Sequence, residues 1–131
     1  MHTSNVSIRY LTKGKLPSLP FVEIKNEILT KEYELSIACV SKKTATELNI
    51  IHRKKDYTPN ILSFSLTKKS GEIILHIPTI KKQYKSFKMS YTDYVLYLLI
   101  HGCLHLKGLD HGVLMDKKEL LLKKKFKIMS S

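Results

Sequence analysis

The stretch SYTDYVLYLLIHGCLHLKGLDH, residues 90–111, holds the signals that decide the fold. Ser90 stands three positions before Asp93, which is the spacing of a capping box that opens a helix. The segment that follows is apolar nearly all round, which predicts a buried central helix over about 91–107. Gly108 is well placed to end this helix in a left-handed cap.

Three histidines crowd into the second half of this stretch. His101 and His105 are four residues apart and therefore share one helix face. Two imidazoles at that spacing can bind one zinc ion, and the break at Gly108 lets His111 approach the same ion from a loop. The spacing matches the metzincin zinc motif H-E-x-x-H-x-x-G-x-x-H. Three protein ligands leave a fourth position for water, as in a catalytic zinc site.

The residues between and beside these histidines refine the interpretation. Gly102 stands where metzincins have a glutamate as general base, which argues against a protease. Asp110 adjoins a predicted ligand, and two roles fit it: fixing an imidazole tautomer by a hydrogen bond, or an ordinary turn residue. Cys103 lies about 200° around the helix from His101 at ~3.6 residues per turn, which predicts a core residue rather than a ligand.

Strand and helix patterns precede and follow the central helix. Ser18 and Ser41 are predicted N-caps of two earlier helices, the second with Ala45, Leu48 and Ile51 on its apolar side. The fold class we predict is α+β: a small mixed sheet of about four strands packed with helices, its central buried helix carrying the metal-binding histidines. Alternation predicts strands at Val6–Leu11, Glu34–Val40, Asn60–Leu66 and Glu72–Ile77, and helical spacing adds a weak helix at 79–88 and a last helix at about 115–129.

Composition places limits on the class of protein. A chain of 131 residues predicts one domain over 1–131, and two cysteines indicate a reducing compartment rather than a disulfide scaffold. No secretory signal and no apolar run long enough for a membrane are visible, so we expect a cytoplasmic protein without a membrane partner. The net charge is +12, with 23 Lys+Arg against 11 Asp+Glu. This imbalance fits a nucleic-acid partner or a merely lysine-rich surface.

The segment HGCLHLKGLDH resembles H-G-x-L-H-L-x-G-[YH]-D-H, the signature of the YbeY family of bacterial rRNA maturation factors, which are metal-dependent endoribonucleases. The similarity spans about residues 35–125 and includes departures: Pro59 replaces a threonine, Leu109 an aromatic residue or histidine, and Glu72 an aspartate. Shorter segments agree in order: Leu48–Asn49 with Arg53 and Asp56 resembles L-N-x-x-x-R-x-x-D, Ile61–Phe64 resembles V-L-S-F, Gly71–Ile73 resembles G-D-I, and Met115 with Glu119 resembles M-x-x-x-E.

This resemblance implies cleavage of single-stranded RNA, with a role in maturation and quality control of small-subunit (16S) rRNA. It implies the ribosome or ribosomal proteins as partners. One Zn²⁺ per chain would be held by His101, His105 and His111. Arg53 is expected to complete the catalytic set by clamping a phosphate with its forked guanidinium, although a surface cation also fits it. Ser63 is expected to hydrogen-bond the RNA backbone, with inward packing as the alternative.

Two further points remain open from sequence. Four aromatic residues can stack unpaired bases, although core packing is the commoner role: Tyr57, Tyr84, Phe87 and Tyr91. A non-catalytic, zinc-containing, ribosome-associated RNA-binding protein is the alternative to a nuclease, and it requires a metal with no open position. A metallohydrolase acting on a small substrate is a third possibility.

Overall fold

The computed structural model describes residues 5–128. Within them lies the predicted α+β architecture, with the element order expected from sequence. Four strands form one sheet: β1 (Val6–Tyr10), β2 (Glu34–Cys39), β3 (Ile61–Thr67) and β4 (Ser70–Leu75). The helices are α1 (Phe21–Leu29), α2 (Lys42–Arg53), α3 (Ile77–Gln83), α4 (Tyr91–Lys107) and α5 (Val113–Lys125), with a 3-10 turn at Tyr84–Phe87.

The sheet is mixed, in the order β1-β2-β4-β3. β1 pairs parallel with β2, and β2 pairs parallel with β4, with Cys39 opposite Leu75. β3 runs antiparallel to β4 and places Ile61 opposite Leu75. The start of β3 therefore lies at the same edge as the ends of β2 and β4. We call this the carboxyl edge of the sheet.

Each face of the sheet is covered by its own helices. Side chains that alternate along β2 and β4 point to opposite faces. One face, which includes Ile37 and Ile73, packs against α1, α3 and α4 in the main core. The other face, which includes Ala38 and Ile74, packs against Ala45 of α2 in a smaller cluster. Helices α2 and α3 thus lie on opposite faces of the sheet.

The central helix α4 begins and ends as the sequence predicts. The Ser90 hydroxyl accepts a hydrogen bond from the backbone N–H of Asp93 at 3.0 Å. Gly108 ends the helix at φ +106°, and its N–H bonds to the carbonyl of His105. Ser41 caps α2 in the same manner, since its hydroxyl accepts from the N–H of Thr44 at 3.2 Å. No helix in the described range 5–128 is both long and apolar enough to cross a bilayer.

Several local predictions were wrong. Ser18 does not cap α1, which instead follows Pro20 without a side-chain cap. The fourth strand stops at Leu75, because the chain turns there into α3, whose first turn accommodates Pro78. The last helix begins at Val113 rather than 115 and ends at Lys125, and the predicted end at Met129 lies outside the described residues.

The predicted apolar side of α2 also differs at one position. Ile51 is 70% exposed, whereas Asn49 is fully buried. The Asn49 side-chain amide donates to the backbone carbonyl of Tyr57 at 3.0 Å, and it thereby ties the loop after α2 back to the helix. The predicted apolar side therefore holds at Ala45 and Leu48 but not at Ile51, and a hydrophobic pattern does not register a buried amide such as that of Asn49.

Gly102 allows α4 to lie close against the sheet. A Cβ atom at this position would stand 3.0 Å from Ile61 Cδ1 and 3.1 Å from Ile73 Cδ1. These are tighter than ordinary van der Waals contacts, so a longer side chain has no room there. Gly102 stands at the position of the general base in metzincins, and here this position has a packing role between α4 and the sheet.

We therefore expect Gly102→Leu to destabilise the fold by about 1–3 kcal/mol, because it overpacks the contact between α4 and the sheet. Urea denaturation measures the change in the free energy of unfolding. Thr92→Leu, on the exposed side of the same helix, is the matched control and should change stability by less than about 0.5 kcal/mol. Equal effects of the two substitutions would contradict this account of Gly102.

Candidate metal centre

The three predicted histidines converge in space. His101 and His105 project from the same face of α4, and His111 approaches from the loop after Gly108. The ring centroids are 4.6 Å apart for His101 and His105, 5.1 Å for His101 and His111, and 5.0 Å for His105 and His111. One nitrogen of each ring lies within 4.8 Å of the others, so the group could hold a metal ion. The geometric prediction from their spacing is confirmed.

Hydrogen bonds on the far side of two rings decide which nitrogen faces the centre. His105 Nδ1 lies 3.0 Å from the backbone carbonyl of Leu109, which can only accept, so Nδ1 carries the proton. His101 Nδ1 lies 2.5 Å from Oε2 of Glu119. Each ring thus turns its Nε2 atom inward, and partners of this kind are what orient metal-binding histidines in proteins.

The two inward-facing Nε2 atoms favour a positive charge between them. With both Nδ1 atoms protonated and both rings neutral, the Nε2 atoms of His101 and His105 present lone pairs to each other at 3.1 Å. A shared proton or a metal ion relieves this repulsion. Zinc–nitrogen bonds of 2.0–2.1 Å in a tetrahedron place two ligand nitrogens about 3.3 Å apart. The donor set and its spacing therefore fit zinc or a similar divalent ion.

The electrostatics of His105 favour the neutral form that a metal needs. Burial lowers the pKa of His105, and the neighbouring His101 and His111 lower it further. The hydrogen bond to Leu109 and the charge of Asp110 oppose this shift. Because only a neutral imidazole binds a metal, a depressed pKa keeps this ligand available at neutral pH.

Glu119 contacts the histidine cluster, a position that sequence reasoning did not assign to it. It lies on α5, four residues after Met115, and the two therefore share a helix face. Met115 is only 1% exposed and anchors α5 to the core, which holds the Glu119 carboxylate against His101. The Met115-x-x-x-Glu119 spacing in the sequence pointed to Glu119, but it did not indicate that Glu119 contacts His101.

For this position the sequence offered Asp110, with an ordinary turn residue as the alternative role. Asp110 lies exposed in the loop before His111. Among the hydrogen bonds of residues 5–128, the carboxylate that joins an imidazole of the centre is that of Glu119. Cys103 is fully buried with a free thiol, in agreement with a core role.

The histidines open onto a cleft of about 750 Å³. Arg53, the last residue of α2, and Ser63 of β3 line this cleft together with the three imidazoles, so the structure brings the predicted site residues to one place. None of the lining residues is a carboxylate. His52 also lines the cleft, with its ring stacked on Phe64 at a centroid distance of 4.6 Å.

The structure separates the four candidate stacking aromatics into two pairs. Tyr57 and Phe87 line the cleft and are each 50% exposed. Phe87 stacks on the buried Tyr94 with a centroid distance of 4.9 Å and an interplanar angle of 23°, which orients its ring. Tyr84 and Tyr91 are partly buried and pack edge to face on each other at 5.9 Å. Of these four aromatic residues, only Tyr57 and Phe87 line the cleft.

Two of the departures from the family pattern are accommodated by local contacts. Pro59 is buried, and the adjacent Asn60 amide donates to Gln83 Oε1 at 3.0 Å. Glu72 pairs with Arg9 at 2.9 Å, away from the cleft lining. Neither Pro59 nor Glu72 belongs to the histidine group or lines the cleft.

We expect Glu119→Gln to weaken divalent metal binding about 10- to 100-fold, because it removes the charge that orients and polarises His101. Competition with a colorimetric zinc chelator measures the affinity. Glu23→Gln, an exposed change on α1, is the control and should leave the affinity unchanged. A larger loss for Asp110→Asn than for Glu119→Gln would contradict the assignment of Glu119.

Comparisons with known proteins agree with the resemblance seen in the sequence. A family model described as Endoribonuclease YbeY matches residues 17–131. A protein of Phytoplasma mali named Endoribonuclease YbeY is 31% identical over 122 residues, covering 91% of this chain and 78% of that protein. Its namesake from Petrotoga mobilis is 32% identical over 107 residues, covering 79% and 74% of the two chains.

A solved structure supports the same relationship. The solution structure of a Thermotoga maritima protein superposes with a TM-score of 0.55 at 28% identity, covering 91% of this chain and 85% of that one. Sequence similarity over most of the chain thus coincides with similarity of fold and with a histidine cluster at the predicted positions. This chain belongs to the YbeY endoribonuclease family.

Proposed function

We propose that this protein is a zinc-dependent endoribonuclease that cleaves single-stranded RNA in the maturation and quality control of small-subunit rRNA. The observation that carries the proposal is one cleft in which three inward-facing imidazoles stand with Arg53 and without any carboxylate. Such a lining suits a phosphodiester, because nothing in it repels the anion. Membership of the family supports the substrate, and the ribosome would be the partner that presents it.

The three histidines would hold the ion in a fixed position. His101, His105 and His111 would hold a divalent ion, which would supply Lewis-acid chemistry at a phosphate oxygen. Glu119 and the Leu109 carbonyl fix two of the rings from behind, so the ligand geometry is set before substrate arrives.

Arg53 would bind the phosphate beside the metal centre. It ends α2, where Lys54 turns the chain at φ +55° and bonds back to the helix, so its backbone is held in place. Its side chain is exposed and takes no part in the ion pairs of residues 5–128. A guanidinium with free donors can grip two phosphate oxygens and stabilise charge that develops in the transition state.

The rest of the cleft would select unpaired RNA. Tyr57 and Phe87 expose faces on which single-stranded bases can stack, whereas a paired base has no free face to offer. Ser63 is half-buried on β3 and would hydrogen-bond the sugar–phosphate backbone. The excess of lysine would supply the salt-dependent part of the affinity.

The non-catalytic alternative requires a metal whose coordination is filled by protein. The group of metal-ligating side chains within residues 5–128 has three members. Glu119, the nearest carboxylate, is engaged with Nδ1 of His101 on the outer side of the ring. Three ligands with one open position support a catalytic role over a structural one.

The first test removes the ion or one ligand. We expect His105→Ala and a chelator each to abolish both stoichiometric zinc and cleavage of a purified single-stranded RNA, because the ion cannot be held by two imidazoles with the same affinity. Metal analysis and gel electrophoresis of end-labelled RNA give the two readouts. Cleavage by His105→Ala at the wild-type rate would refute the proposal.

The second test separates phosphate binding from metal binding. We expect Arg53→Ala to reduce kcat/KM for RNA cleavage by about 10²–10³ while zinc content stays at the wild-type level. Arg53→Lys should recover only part of the loss, since an ammonium lacks the fork. Lys55→Ala, an exposed change of equal charge two residues on, serves as control. If Lys55→Ala were as damaging as Arg53→Ala, the effect would be one of general charge.

A further inference from the structure

The carboxyl edge of the sheet contains a second cavity beside the cleft. β2 and β4 are adjacent parallel strands, and the helices that follow them, α2 and α3, leave toward opposite faces of the sheet. The two connections therefore diverge and leave a crevice outside the strand ends. Crevices at such topological switch points are where ligands bind in open sheets with parallel strands.

The side chains in this crevice form a set suited to an anion. A cavity of about 410 Å³ is lined by Lys42, Thr58, His76, Pro78, Thr79 and Lys82. Lys42 opens α2, Lys82 lies on α3, and neither belongs to the ion pairs of the described residues. The lining contains two ammonium groups and two hydroxyls but no carboxylate. We call it the switch-point cavity.

His76 forms the inner wall of this cavity. It is only 7% exposed, and its Nδ1 lies 2.7 Å from the Thr79 hydroxyl. Burial lowers the pKa of His76, and the charges of Lys42 and Lys82 lower it further. Lys42 and Lys82 thus both lie close enough to act on the same buried ring, and no carboxylate in the lining offsets their charges.

We propose that the switch-point cavity binds a phosphate group of single-stranded RNA, at a subsite separate from the metal centre. The proposal rests on the nuclease function proposed above and extends its substrate contact. Compact ammonium groups recognise phosphate as point charges. Thr58 pairs with the Thr46 hydroxyl at 2.8 Å and Thr79 with His76 Nδ1 at 2.7 Å, and each hydroxyl can donate to a phosphate oxygen when it accepts from that partner. A bound phosphate would relieve the mutual repulsion of Lys42 and Lys82.

The position of the cavity fits a strand of RNA that runs on from the cleft. Tyr57 and Asn60 line the cleft, whereas Thr58, between them in sequence, lines the switch-point cavity. The backbone N–H of His76 donates to the carbonyl of Asn60 at 3.1 Å, so the two walls are directly joined. A backbone crossing residues 57–60 would place one phosphate near Arg53 and another between Lys42 and Lys82.

The direct test is RNA affinity of the double variant Lys42→Ala/Lys82→Ala. Fluorescence anisotropy with a labelled 12-nucleotide single-stranded RNA measures Kd over a salt series, with the metal chelated so that cleavage does not compete. We expect Kd to rise about tenfold. The slope of log K against log salt should become less negative by about 0.7 for each phosphate that the variant no longer neutralises.

The matched control is Lys68→Ala/Lys69→Ala, which removes the same charge from the β3–β4 turn at the opposite edge of the sheet. We expect it to change Kd less than twofold. Equal losses of affinity in the two double variants would overturn the subsite, because they would show a general charge effect. All four lysines are exposed, so both variants retain the packed core.

A second measurement distinguishes a backbone phosphate from a free nucleotide and keeps the two proposals separate. The ring resonances of His76 are followed by NMR during titration with AMP and, separately, with the RNA. A shift with either ligand supports a phosphate site and identifies the source of the phosphate. The absence of a shift with both ligands would overturn the site. Cleavage of the RNA by the holoenzyme is assayed in parallel. Wild-type protein that binds RNA through Lys42 and Lys82 but never cleaves it would refute the nuclease proposal alone.

Discussion

The site depends on one contact, the approach of two imidazole nitrogens to 3.1 Å on a single helix face. Each ring has its other nitrogen committed to an acceptor, His101 to Glu119 and His105 to the Leu109 carbonyl. Two lone pairs at that distance repel each other unless a proton or a metal ion lies between them. The capped ends of α4, the glycine that seats it on the sheet and the docking of α5 all keep this contact in place.

The same edge of the sheet gathers the groups that face an anion. The cleft and the switch-point cavity lie on either side of residues 57–60, and neither is lined by a carboxylate. Arg53 lines the cleft and Lys42 and Lys82 line the switch-point cavity, whereas Lys68 and Lys69 lie in the β3–β4 turn at the other edge. Folding thus brings basic residues that are distant in the sequence to one surface. A surface of this kind attracts a polyanion.

Local signals predicted most of the fold and the centre of the site. Ser90, Gly108 and the four-residue spacing of His101 and His105 act within one or two helical turns, so they could be interpreted from sequence alone. Glu119 could not be, because its partner lies 18 residues away on another helix. The burial of Asn49 and His76 was missed for a similar reason. Each is a polar residue buried by a tertiary contact, and hydrophobic periodicity cannot predict such contacts.

X-ray absorption spectroscopy of the zinc-loaded protein tests the central claim most directly. The account predicts one zinc per chain with three imidazole nitrogens at about 2.0 Å and a single oxygen from water in the fourth position. A spectrum requiring a sulfur ligand, a fourth protein nitrogen or fewer than three imidazoles would contradict it. Any of these results would mean that His101, His105 and His111 do not form an open metal centre.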